Sequence, residues 1–218
     1  MPAAPSSDGI LTVMSHPDSD WALVQDYVKA HRPVIGIDEV GRGAWAGPVV
    51  AGAVILPAGF MIPGLNDSKL VSAANRTKLD AIIKDIALYW GIGWVTPAEV
   101  DEHGLSWAIA QSGRRAMADF WNPEAIVILD GKWNYLKDTH DAVAIIQADS
   151  LVAPVAAGSI IAKVARDTYM VEADSRYPGY DFHRHVGYGT GFHKSALLRL
   201  GPSPIHRLSY KPLAPYAK

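Results

Sequence analysis

The segment that most constrains this chain is 34–57, VIGIDEVGRGAWAGPVVAGAVILP. Two apolar runs, 34–37 and 49–56, flank a glycine-bearing loop, the pattern of a strand hairpin. The first run ends in two adjacent carboxylates, Asp38 and Glu39. A charge leaving water needs a partner or a metal, because unpaired burial is very costly. Consecutive strand residues face opposite sides of a sheet. Both acids could therefore serve one ion only where the strand ends or bulges. Otherwise Asp38 points inward, and the Glu39 side chain or the neighbouring carbonyl reaches in from the edge. Gly41 and Gly43 let a backbone approach a ligand closely, and Arg42 between them is placed to meet a phosphate or carboxylate. Taken by itself, the segment reads equally well as an acidic turn balanced by an arginine.

The other acids decide between these readings. The run 125–129, AIVIL, is a nearly continuous apolar strand that ends at Asp130, and a second run, 142–146, ends near Asp149. In an open α/β sheet, sites form beyond the carboxyl ends of the strands. Aspartates converging there would make an oxygen-only site that selects Mg²⁺ or Mn²⁺ over zinc. Two such ions could bind the attacking water and the leaving oxygen of a phosphodiester. Singly, Asp130-Gly131 is also a turn dipeptide, and Asp149 sits in what reads as an ordinary loop. The constellation carries the argument.

Between these landmarks, 1–30 is an N-terminal extension with a short helix at 20–29. The remainder, 31–218, forms one domain. In 63–70 a loop runs toward a helix at 75–88, with Asn66, Asp67 and Ser68 as candidate caps. A strand follows at 89–95. Thr96, Pro97 and Glu99 start a helix, and further helices are expected at 106–120, 155–176 and 192–200. Strands cluster early and later alternate with helices, which predicts a mixed α/β sheet flanked by helices.

Composition excludes some chemistry. The chain has 218 residues and no cysteine, so thiolate zinc sites and cysteine nucleophiles are out. No secretory signal or membrane-length apolar run is visible, which fits a cytoplasmic protein with no membrane partner. Net charge is −2, but the 56 residues from Lys163 onward carry nine Lys and Arg against four Asp and Glu. A basic end on an acidic body suits a metal site facing a polyanion.

The chain resembles the bacterial ribonuclease HII family through GIDEVGRG at 36–43, LNDSKL at 65–70, ILDG at 128–131, ADS at 148–150, AGSIIAKVARD at 157–167, FHRHVGYGT at 182–190 and HRLSYKPL at 206–213. The resemblance implies a ribonuclease H-like sheet with a helical C-terminal part. It implies endonucleolytic hydrolysis of RNA in RNA/DNA hybrids and nicking of duplex DNA at an embedded ribonucleotide, leaving 5′-phosphate and 3′-hydroxyl ends. It assigns Asp38, Glu39, Asp130 and Asp149 to two Mg²⁺ or Mn²⁺ ions. Gly41, Arg42 and Gly43 would contact the 2′-hydroxyl, and Tyr188 would pack on the neighbouring deoxyribose, although by itself Tyr188 reads as a half-buried core tyrosine. Asn66, Lys69, Lys163 and Arg166 look like phosphate or backbone contacts, and each singly also reads as a solvated helix residue. His206 and Arg207 match the closing block with an open role. A monomer is expected, and the end, PLAPYAK, carries no motif for a sliding-clamp partner.

Three departures stand out. Gln147 and Val186 replace lysines usual in the family, removing cations near the site. Gly158 replaces Ser or Ala and should loosen its helix slightly. Ribonuclease HIII is set aside, because that family carries a further N-terminal domain and usually a Glu as fourth acid. A catalytically dead hybrid binder would need a broken quartet. A junction resolvase on the same fold would not pair the Gly-Arg-Gly loop with Tyr188.

Overall fold

The structure is a computed structural model that describes residues 32–57, 62–65 and 71–216. The expected helix at 20–29, the capping residues Asn66, Asp67 and Ser68, and Lys69 lie outside the described residues. Strands β1 (Val34–Val40), β2 (Val49–Ile55) and β3 (Tyr89–Val95) form the antiparallel half of a five-stranded sheet, and β4 (Ile126–Asp130) and β5 (Ala142–Ile145) extend β1 in parallel. The order is β3-β2-β1-β4-β5, so the acidic segment occupies the centre. This is the mixed, helix-flanked sheet that the alternation of runs predicts.

Helix α1 is Ala73–Ile86, capped by Ser72, whose hydroxyl accepts from the Asn75 amide at 3.4 Å. The cap thus sits downstream of the expected Asn66–Ser68 trio. Helix α2 (Pro97–His103) starts as expected, with Thr96 and Glu99 capping reciprocally, and α3 is Leu105–Met117. After β5 come α4 (Ala148–Leu151), the 24-residue α5 (Ala153–Arg176), α6 (Phe182–His185), α7 (Gly191–Leu200) and a 3-10 turn at Lys211–Tyr216. No helix among the described residues is long and apolar enough to cross a membrane.

Strand β2 is buried along its whole length because both faces are covered. On one face Ile35, Ile37, Ala51 and Ala53 pack with Ala110, Ala116 and Met117 of α3. On the other, Val54 packs with Ala157, Ile160 and Ile161 of α5 and with Leu79 and Ile83 of α1. Asp38 shares its parity with Gly36, so it points to the α5 face.

That face is unusually close to the helix. A Cβ on Gly36 would run into the backbone at Pro154 and Val155, and one on Gly52 into the Gly158 carbonyl. Gly158 is therefore part of a backbone-to-backbone contact, which corrects the reading of it as a loosened helix position. Its own Cβ would sit 2.7 Å from the Gly52 carbonyl oxygen. Helix propensity favours alanine by about 1 kcal/mol, whereas overpacking costs about 1–3 kcal/mol. The clash wins here because the opposing atom is backbone. Gly158→Ala should lower stability by about 1–2 kcal/mol in urea unfolding. A gain of about 1 kcal/mol would mean that α5 can lift away from the sheet and that propensity governs the position.

Candidate active site

β1 and β4 are parallel neighbours with Ile37 opposite Leu129, so Asp38 and Asp130 leave the sheet side by side. Asp149 arrives from the first turn of α4, just past β5. Asp38, Asp130 and Asp149 each offer a carboxylate oxygen, and these oxygens lie within 4.8 Å of one another. Asp38 is 7% exposed and Asp149 4%.

Such crowding is electrostatically unfavourable without a cation. Burial, then the neighbouring charges of Glu39, Asp130 and Asp149, push the Asp38 carboxyl well above the usual range, against a hydrogen bond from the Ser159 side chain. Burial likewise pushes Glu39 up to about 7, against the adjacent Arg42 guanidinium. Oδ1 of Asp130 is buried without a hydrogen-bond partner among the described residues. Clustered oxygen donors with excess negative charge and an unspent acceptor fit a hard divalent cation.

Glu39 stands apart from this trio. Its Oε1 accepts from Arg42 Nη1 at 3.0 Å, while its amide donates to Asp38 Oδ1 at 2.7 Å. Of the four acids expected together, the structure gathers three and turns the fourth toward the loop.

Directly after the acids, the Ala44 amide donates to the Gly41 carbonyl at 3.3 Å and closes a four-residue turn. Ala44 bridges Tyr188, and Ala46 bridges His206. Tyr188 therefore stands beside the Gly-Arg-Gly loop, half-buried, with the Arg166 guanidinium 5.5 Å from its ring centroid. Gly41 has φ +90°, and a Cβ there would strike Arg166 Nε, whereas one on Gly43 would meet open space. Of the two glycines expected to admit a ligand, Gly41 instead admits a guanidinium.

Arg166 does not sit where a phosphate contact would. It is 0% exposed, and it donates to the carbonyls of Pro48 at 2.9 Å, Val186 at 2.8 Å and Ala46 at 3.0 Å. Burial lowers its pKa to about 10. The expectation of a substrate contact is corrected to a clamp on the 41–48 loop. Lys163 is half-buried and ion-paired with Asp167 at 2.8 Å along α5. Asn66 and Lys69 lie outside the described residues. Gln147 is exposed in a left-handed conformation just before α4, and Val186, also left-handed, supplies the carbonyl held by Arg166.

Sequence reading missed Ser159 and left His206 and Arg207 without roles. His193 Nδ1 lies 3.0 Å from the Tyr188 carbonyl, so it donates, and its Nε2 accepts from His206 Nε2 at 2.9 Å. His206 Nδ1 then accepts from the Ser203 amide at 2.8 Å. His185 stacks on His193 at 4.5 Å, donating to the Tyr180 carbonyl at 2.9 Å. Each ring is neutral in a fixed tautomer. The only sequence signal was the density of histidine after residue 182.

An oxygen-only acidic trio beyond the carboxyl ends of parallel strands, beside a loop that reaches a tyrosine, has the donor set of a metal-dependent phosphodiester hydrolase. The family model for "Ribonuclease HII" matches residues 35–213. The ribonuclease HII of Caulobacter vibrioides is 45% identical over 181 residues, covering 83% of this chain and 85% of that protein. Among solved structures, the ribonuclease HII of Archaeoglobus fulgidus, in complex with PCNA, aligns with a TM-score of 0.69 at 22% identity, covering 82% of this chain and 95% of that one. Bst-RNase HIII in complex with Mn²⁺ aligns at 0.63 and 17% identity, covering 84% and 68%. The chain belongs to the ribonuclease HII family: it is a ribonuclease H, a metal-dependent endonuclease that hydrolyses the RNA of RNA/DNA hybrids.

Asp130→Asn removes one charge that faces Asp38 and Glu39, so the metal-free protein should gain stability. The same variant should lose the rise in melting temperature that Mg²⁺ or Mn²⁺ gives the native protein, and thermal unfolding with and without the ion checks both effects. The histidine relay predicts acid sensitivity. Burial lowers both His193 and His206 from 6.5 to about 4. Their stabilisation is therefore complete above about pH 6.5 and is lost as pH falls toward 4. Urea unfolding should show a loss of about 2 kcal/mol per ring between pH 7 and pH 5, where the unfolded chain has taken up a proton at each histidine and the folded chain at neither.

Proposed function

We propose that the chain recognises the junction between a ribonucleotide and a deoxyribonucleotide, cleaving hybrids and nicking duplex DNA at single embedded ribonucleotides. The products would carry 5′-phosphate and 3′-hydroxyl ends. The observation that carries this reading is the juxtaposition of the aspartate trio with a loop bridged to Tyr188. Chemistry and junction sensing share one segment, because the loop begins two residues after Asp38-Glu39.

Asp38, Asp130 and Asp149, with Glu39 at the edge, would hold two Mg²⁺ or Mn²⁺ ions. When bound, the ions would supply an activated water and neutralise charge on the phosphodiester. The chain's own residues do the rest. Ser159 and the Glu39 amide orient the Asp38 carboxylate. The amides of 41–43 meet the 2′-hydroxyl, which distinguishes RNA from DNA. Arg42 is exposed and close to Glu39, so it can exchange that partner for a backbone phosphate. The Tyr188 ring covers the next sugar and favours one without a 2′-hydroxyl. Lys163, Asn66 and Lys69 remain assigned to the phosphate backbone, which fixes register without reading sequence. A single catalytic domain at 31–218, acting as a monomer in the cytoplasm, belongs to the same proposal. By analogy with the Archaeoglobus protein, solved in complex with PCNA, a sliding clamp is the partner to test.

The test is cleavage of a labelled DNA duplex holding one ribonucleotide, in Mg²⁺ and in Mn²⁺, beside a continuous hybrid and Asp130→Asn. A nick on the 5′ side of the ribonucleotide, lost in the variant, is the expected result. Cleavage of the continuous hybrid alone would overturn the roles given to Gly41–Gly43 and Tyr188.

A further inference from the structure

We infer that Arg207 is a positioning residue for ribonucleotide selectivity: its buried guanidinium, with Tyr210, fixes the Arg42–Gly43 peptide so that two loop amides face the substrate. The inference rests on the functional reading above and deepens it.

Arg207 is 0% exposed. Its Nη1 donates to the carbonyls of Gly41 at 2.7 Å and Arg42 at 3.1 Å and to the Tyr210 hydroxyl at 2.8 Å. Nε and Nη2 both donate to the Gly47 carbonyl, at 3.0 and 2.7 Å. The Tyr210 hydroxyl in turn donates to the Arg42 carbonyl at 2.6 Å. The Arg207 amide donates to the Trp45 carbonyl at 2.8 Å. Among the described residues Arg207 has no salt bridge; its charge is compensated by loop carbonyls, by the Tyr210 hydroxyl and, at longer range, by the Asp101 carboxylate.

Peptide geometry gives this a consequence. In a trans peptide the N–H points opposite to the C=O. With the Gly41 and Arg42 carbonyls drawn inward to Arg207, the amides of Arg42 and Gly43 point outward. Both residues are exposed, and neither amide has an acceptor among the described residues. They present two unspent donors on the loop that follows Asp38 and Glu39.

That orientation is not guaranteed by the turn. Type I and type II turns differ by a flip of the central peptide, and glycine at the third position tolerates either. In 41–44 the third position is Gly43. A flip would turn the Arg42 carbonyl outward and replace a donor with an acceptor. The two bonds on that carbonyl, from Arg207 and Tyr210, oppose it. A planar guanidinium can span the Gly41, Arg42 and Gly47 carbonyls at once, whereas a lysine ammonium is a point donor that cannot.

The experiment uses the full chain with Arg207→Lys and Tyr210→Phe. kcat and KM are measured on the single-ribonucleotide duplex, together with the inhibition constant of an all-DNA duplex of the same sequence. Arg207→Lys should lower kcat/KM on the ribonucleotide duplex about tenfold or more, as expected when a site built to hydrogen-bond a hydroxyl loses its donors. The all-DNA inhibition constant should change less than about twofold, because it does not use the 2′-hydroxyl contact. Tyr210→Phe removes one bond on the Arg42 carbonyl and should fall between. Tyr210 lies at the surface end of the clamp, so this variant decides the matter if Arg207→Lys does not fold. Unchanged selectivity in Tyr210→Phe, or an all-DNA constant that weakens in step with kcat/KM, would overturn the inference and leave Arg207 as a packing residue. A native enzyme that cuts only continuous hybrid would instead sink the functional reading, and the positioning role with it.

Discussion

The backbone contact between α5 and the central strands is the constraint on which the rest of the structure depends. Gly36 and Gly52 let the start of α5 settle against β1 and β2, and everything further along the helix is placed by that contact. One turn past Pro154 comes Ser159, whose hydrogen bond reaches Asp38. Two turns further is Arg166, which gathers three carbonyls from the 41–48 loop and the 186 corner. One more turn brings Met170 into the cluster with Ala46, Phe182, Ala196 and Ile205. A helix lifted by one methyl group would shift all three contacts together, since interiors are close-packed and transmit strain.

The electrostatics show a division of labour. The chain buries acids and guanidiniums near the same loop, yet does not pair Arg166 or Arg207 with the trio. Such a pair would neutralise both at short range and would also leave no negative charge to attract a cation. Instead, carbonyls of the loop compensate the arginines, and the acids keep their excess charge. Burial makes both choices costly, as the raised Asp38 and lowered Arg166 show. The acidic cost is of the kind a bound metal offsets. The guanidinium cost is offset within the fold, because each N–H on a charged group makes a stronger hydrogen bond than a neutral one.

What the sequence disclosed follows from this division. Asp38 and Asp130 were legible because each ends an apolar run, and Asp149 because a third run stops just short of it; parallel strands put such ends together. The separation of Glu39 follows from alternation along a strand, but its partner Arg42 could be fixed only once the turn was seen. Arg166 was misread because an arginine on a helix is ordinarily solvated, and nothing local announces carbonyls 118 and 120 residues away. Gly158 was misread for the same reason, its clash partner being another strand's backbone. The four-residue helices α4 and α6 are too short for periodicity to register.

The long-range logic converges on the segment 203–210. Arg207 holds the loop that follows the acids, while His206 acts through His193 on the carbonyl of Tyr188. Both elements proposed to sense the junction are thus hung from one stretch of chain remote in sequence from the acids. The two attachments differ in kind. The arginine clamp keeps its charge across the physiological range, since even a lowered guanidinium stays protonated. The histidine relay depends on neutral rings in complementary tautomers: a proton on His193 Nε2 puts two donors face to face at 2.9 Å, and one on His206 Nδ1 faces the Ser203 amide at 2.8 Å. Acid would therefore loosen the hold on Tyr188 while the arginine clamp on the Gly-Arg-Gly turn keeps its charge.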